Sequence, residues 1–290
     1  MLWFKKRPDA ALPAAPDEIV PAALPFALDG NLFKHYFTKL LENAEQDGGI
    51  ESHLAALGAK QRMCVATLER ARDAVFSMRD IEALLDHVFT ARRRLCPALE
   101  QLGAARTATL VRDLVAGAAP PAQRLQNFVD AMPGTERMDR ESFKAATKVR
   151  RAGWDFAAEL LHFSDPVKFP LMSRWVWDQG TQSGALREFI RGNDAMREIP
   201  LGNDPGLFEG ARRWLAERIA EEGVYRDVHF WIDLVLAQAY TTYFRSVTEG
   251  SLGADFGRGV TAQEQLRKLL GIDATGSRRS RVKKMVMSNG

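Results

Sequence analysis

Apolar residues in this chain recur at helical spacing along most of its length. Leu32, Phe33, Tyr36, Phe37, Leu40, Leu41 and Ala44 fall on one face of a helix that starts near Asn31 and stops at Gly48-Gly49. The same period returns over roughly 59–78, through Leu68, Ala71, Val75 and Phe76. Asp80 then reads as an N-cap for Ile81, Leu84, Leu85, Val88 and Phe89, with Pro97 ending or kinking that helix. Short helices are predicted near 104–116 and 121–132, the second opened by Pro120-Pro121. A long pattern covers 142–163, and shorter ones cover 171–179 and 184–191. Asp204-Pro205 is a cap and first-turn pair for Leu207, Phe208, Ala211, Trp214, Leu215 and Ile219. Residues 225–247 are apolar nearly all round, the mark of a central buried helix. Thr261-Ala-Gln-Glu264 is a capping box, and Gly271 closes the helix it starts. No stretch alternates with period two. The fold class predicted is all-α, with about ten helices.

Breaks in the pattern suggest the domain plan. Five prolines among alanines, Pro8, Pro13, Pro16, Pro21 and Pro25, erase any period near the N-terminus. Residues 1–28 are expected to form a disordered arm. A soft boundary at 117–142 separates an N-terminal helical bundle, 29–132, from a C-terminal helical lobe, 133–273, packed on it, with one merged domain as the alternative. Residues 274–290 lack apolar period and are expected to be a disordered basic tail. No internal repeat argues for a solenoid.

Composition narrows the class. The 290 residues are 46% hydrophobic and 27% charged, with a net charge of +3, ordinary values for a globular protein. Any nucleic-acid surface must therefore be a local patch. Cys64 and Cys96 stand too far apart for a zinc motif and are too few for a disulfide framework. Met1-Leu-Trp-Phe-Lys-Lys-Arg places apolar residues before charges, the reverse of a secretory leader. No transmembrane segment is predicted, and a cytoplasmic location is expected.

Residues 142–178 are the most distinctive stretch. Lys144, Lys148, Arg150 and Arg151 lie on or beside the polar face of a helix whose buried side takes Phe143, Ala146, Val149, Trp154, Ala157, Leu160 and Leu161. His162 sits in an apolar run just before Asp165-Pro166, where it suits a helix end. Trp154, His162, Trp175 and Trp177 are the candidates for a pocket. The string Ala157-Ala-Glu-Leu-Leu-His-Phe163, followed by Pro166 and Phe169-Pro170, resembles a segment of bacterial proteins related to the helix-hairpin-helix DNA glycosylase superfamily. There the segment follows a glycine hairpin and precedes a proline-linked aspartate. Here Gly153 stands near the hairpin position, the Gly-x-Gly signature is missing, and Ser173 holds the aspartate position. The resemblance implies DNA-related ancestry without the residues for glycosylase chemistry.

Other chemistry finds little support. No two of His35, His53, His87, His162 and His229 stand at i, i+4, and no metal site or cofactor is expected. There is no Walker loop and no Gly-x-Ser-x-Gly elbow, so no catalytic residue is assigned. Arg92–Arg94 precede Cys96, where three arginines on an exposed helix face are the first reading and a lowered thiol pKa the alternative. The tail sets five positive charges, Arg278, Arg279, Arg281, Lys283 and Lys284, within seven residues. Trp3 and Phe4 tip the arm as candidate anchors for an unidentified protein partner. Three readings follow: a non-catalytic protein-binding adaptor or regulator; a nucleic-acid-binding protein using the 142–178 lobe and the tail; and an enzyme with a pocket around His162.

Overall fold

The apolar stripes become ten α-helices among the described residues of the computed structural model, which are 18–73, 75–134, 139–249 and 261–273. Trp3 and Phe4, the glycine-rich run 250–260 and the basic tail lie outside these residues. The helices are α1 (Gly30–Glu45), α2 (Ile50–Arg72), α3 (Met78–Asp86), α4 (Arg92–Leu102), α5 (Ala104–Ala116), α6 (Pro121–Asp130), α7 (Arg140–Ser164), α8 (Pro205–Glu221), α9 (Val228–Glu249) and α10 (Ala262–Leu269). Two 3-10 turns, Ala185–Phe189 and Asn193–Ala195, lie between α7 and α8. None of the described helices is long and apolar enough to cross a membrane.

Local signals explain most boundaries. Asp29, Asp139, Asp204 and Thr261 each accept a backbone N–H at a helix start, satisfying donors that have no partner within the helix. Ser77 is the cap of α3, and Asp80 completes its capping box from the third helical position rather than capping the helix itself. The helix expected to run on to Pro97 stops at Asp86. A new helix begins at Arg92 and carries Pro97 inside it. The 171–179 pattern forms turns instead of a helix: Val176 and Trp177 both donate to Ser173 O, and an isolated bridge joins Asp178 to Ser183.

Two helices organise the interior. α7 packs on α2, α4, α5 and α6, while α9 packs on α1, α2, α8 and α10. One apolar cluster runs from Phe33 to Ile272, so the core is continuous across the boundary expected at 132/133. The N-terminal arm departs from expectation. From residue 18 it is an extended segment, with Ile19, Leu24, Phe26 and Leu28 against the core and Ala22 N–H donating to Gly206 O at 2.8 Å. Gly206 and Gly210, one turn apart on α8, admit it. A Cβ on Gly210 would come within 2.3 Å of Ala22 O, so the backbones meet only because both side chains are absent.

Candidate functional site

Helix α7 carries Asp155, Glu159 and His162 at spacings of four and three, which puts them on one face. That face is buried, and each residue has a partner from a different part of the chain. Asp155 accepts from Arg174 Nη2 at 2.8 Å and from Arg174 N at 2.9 Å. Glu159 accepts from Lys60 Nζ of α2 at 2.6 Å. The same ammonium donates to Leu270 O at the end of α10, at 2.8 Å, and sits 4.0 Å above the Phe163 ring. Burial pushes both the Asp155 and Glu159 carboxyls above the ordinary range, against the pull of Arg174 and Lys60.

His162 joins the two central helices. Its Nδ1 lies 2.8 Å from Phe169 O and its Nε2 lies 2.9 Å from Asp233 Oδ2 of α9. A carbonyl only accepts, so Nδ1 carries a proton. The second bond then has a charged imidazolium facing a carboxylate, or a neutral ring facing a protonated acid. Either way the pair is neutral overall, and neither ring nitrogen is free to take a proton from a substrate. The cavity beside it holds about 20 Å³, room for roughly one water molecule. Trp154, Trp175 and Trp177 do not line that cavity. Trp154 Nε1 donates to Met172 O and Trp177 Nε1 to Leu201 O, while Trp175 packs against Tyr240. Of the four expected pocket residues, His162 alone lines the cavity, and the three tryptophans pack elsewhere in the structure.

Gly153 lies in the middle of α7, where a Cβ would press to 3.0 Å on Met132, so it serves helix packing and no hairpin. Ser173 is fully buried. Cys96 shares a hydrogen bond with Glu100 at 3.4 Å; burial and that carboxylate raise its pKa, outweighing any effect of Arg92–Arg94. Burial lifts the Cys64 thiol to about 12, which removes it as a thiolate nucleophile. Although no metal site is expected from the sequence, Glu159-Leu-Leu-His162 has the Glu-x-x-His spacing that helical metal sites use. Both side chains are already committed, and no group of three potential ligands gathers among the described residues.

The accessible chemistry lies at the other end of α7. Arg140, Lys144 and Lys148 repeat every four residues and form one row on the helix. Arg94 of α4 faces the same open groove of about 680 Å³, in which Glu141 is the single acidic lining residue. None of the four cations makes an ion pair among the described residues. Asp139 already caps the helix end, and its bonds to Ser142 and Glu141 hold its carboxyl below the ordinary range. The positive character of the groove therefore comes from side chains and not from the helix dipole. Phe143, expected on the buried side, is 47% exposed, because the first turns of α7 stand clear of the body. Phe89 is similarly exposed, with Arg92 5.2 Å above its ring. Arg150 and Arg151 do not join the row: they pair with Asp130 and Asp178, each at 2.6 Å, and fasten α7 to its neighbours.

Compared with models of known protein families, with curated proteins and with solved structures, the chain matches none.

Proposed function

We propose that this protein is a non-catalytic helical protein that binds a nucleic-acid backbone through the α4–α7 groove. The observation that carries this reading is the convergence of Arg94, Arg140, Lys144 and Lys148 on one open groove without acid partners among the described residues. The row on α7 advances about 6 Å per cation, from ~1.5 Å per residue, so it offers a line of separate contacts to a polyanion. Such contacts position a ligand and carry no base information, which makes the binding independent of sequence. The 142–178 resemblance to DNA glycosylase-related proteins agrees with the ligand class. Buried Ser173 at the aspartate position agrees with binding in the absence of chemistry. The competing reading is a protein adaptor that uses the arm, whose tip residues Trp3 and Phe4 lie outside the described residues, and an exposed apolar groove.

The test is fluorescence anisotropy of a labelled DNA duplex with the full chain, titrated between about 50 and 200 mM salt. Binding should weaken steeply with salt. Lys144→Glu/Lys148→Glu should reduce the slope of log K against log salt by about 1.8, two contacts at ~0.9 each. The tail is present in both proteins and cancels. Binding that ignores salt, or a slope unchanged in the double variant, would overturn the assignment.

A further inference from the structure

A second indentation lies where the loop at 165–170 meets α8 and α9. It encloses about 320 Å³, at the lower end of the ~300–1,000 Å³ that small-molecule sites occupy. Ala216, Val228 and Ile232 give it apolar walls, and Val167 stands at its rim 65% exposed. Glu209 is buried and accepts from Arg212 Nε at 2.7 Å and Nη2 at 3.0 Å. Arg212 Nη1 donates to Val167 O at 2.6 Å. Arg212 and Glu209 thus cancel each other's charge and satisfy each other's bonds. Arg213 differs: it is 63% exposed at its side chain and reaches Glu209 only at 3.4 Å. The indentation therefore holds one uncompensated positive charge. His229 lines both this cleft and the small cavity behind it that ends on the neutral His162–Asp233 pair. Burial lowers its pKa, which leaves the imidazole uncharged near neutral pH and able to donate a hydrogen bond.

We infer that this cleft binds a small amphipathic monoanion, a carboxylate on a short apolar body. Arg213 and His229 receive the carboxylate, and Val167, Ala216 and Ile232 take the chain. One negative charge completes the balance that Glu209 leaves unfinished, and an apolar body covers the side chain of Val167. A cation meets Arg213 unfavourably, and a neutral alcohol leaves its charge unmatched.

Isothermal titration of the full chain with hexanoate, 1-hexanol and hexylamine tests this. Hexanoate should bind at least about tenfold more tightly than the other two. Arg213→Glu should weaken hexanoate by about tenfold or more while leaving helicity unchanged, and Ala216→Trp should abolish the heat by filling the cleft. The inference is overturned if hexanol binds as well as hexanoate, if Arg213→Glu leaves hexanoate binding intact, or if millimolar hexanoate gives no heat.

Discussion

Helix α7 carries ionisable residues along its whole length, yet its two halves treat them differently. Over its first turns, Arg140, Lys144 and Lys148 stand in water beside Arg94, with no ion pair among the described residues. From Ala152 to Phe163 the helix is buried apart from half-buried Trp154, and Asp155, Glu159 and His162 each meet a partner of opposite or complementary character. Arg150 and Arg151 mark the junction, already paired but still near the surface. The difference is one of solvent. In water a cation costs nothing to leave unpaired and stays available to a ligand. In the core an unpaired charge is prohibitive, so every such group is matched and becomes part of the framework. The exposed half suits binding, and the buried half holds the helices in register.

The largest effect that would break this comparison lies at Lys60. Lys60→Met leaves the Glu159 carboxylate buried alone and should cost about 3–5 kcal/mol in urea denaturation. Lys60→Met/Glu159→Met removes both charges and should recover most of that loss, because the penalty belongs to the orphaned charge and not to a missing attraction. A double variant as unstable as the single one would contradict this account.

A smaller effect should appear in acid. Asp178 sits between Arg151 and Arg174. Burial alone would raise its pKa, but the two arginines outweigh it and the carboxyl is held low. A carboxyl lowered on folding contributes stability above its unfolded value, near 3.9, and loses it as pH falls through the lower folded value. Asp155 and Glu159 are raised, so their contributions run the other way and grow as pH falls. Asp178→Asn should therefore flatten the loss of stability below about pH 4. The size should be on the order of 1 kcal/mol or less, as for partly exposed pairs. A parent and variant that lose stability in parallel would show that the pair contributes nothing.

The smallest expected effect sharpens the other half. Lys148→Glu should leave stability within about 0.5 kcal/mol of the parent, since the side chain pairs with no acid among the described residues. A larger loss in chemical denaturation would show that the groove is structural after all.

Much of the framework is legible in the residue pattern alone. Helical period locates α1, α5, α6, α8 and α9, and Asp204-Pro205 and Thr261-Ala-Gln-Glu264 mark helix starts because capping depends on neighbours within three residues. Two of the misreadings come from contacts made far along the chain, while that at Asp80 is local, since Ser77 three residues earlier caps α3. Residues 171–179 have helix-compatible apolar content, but Trp175, Val176 and Trp177 are all buried and leave no solvent face, so amphipathic period does not apply. Residues 18–28 lack period, yet they order against Gly206 and Gly210 of α8. For the groove, Arg140, Lys144 and Lys148 are readable as a row, whereas the arrival of Arg94 beside them is not.

The sequence by itself determined the helical class, most helix starts and stops, and the absence of any familiar catalytic motif, because these depend on residues close together in the chain. Tertiary structure alone decided which charges are paired and which remain open to a ligand. Lys60 finds Glu159 across 99 residues and His162 finds Asp233 across 71, separations that no local pattern spans. Whether a lysine is framework or binding surface follows from the dielectric around it, and that is set only once the helices have packed.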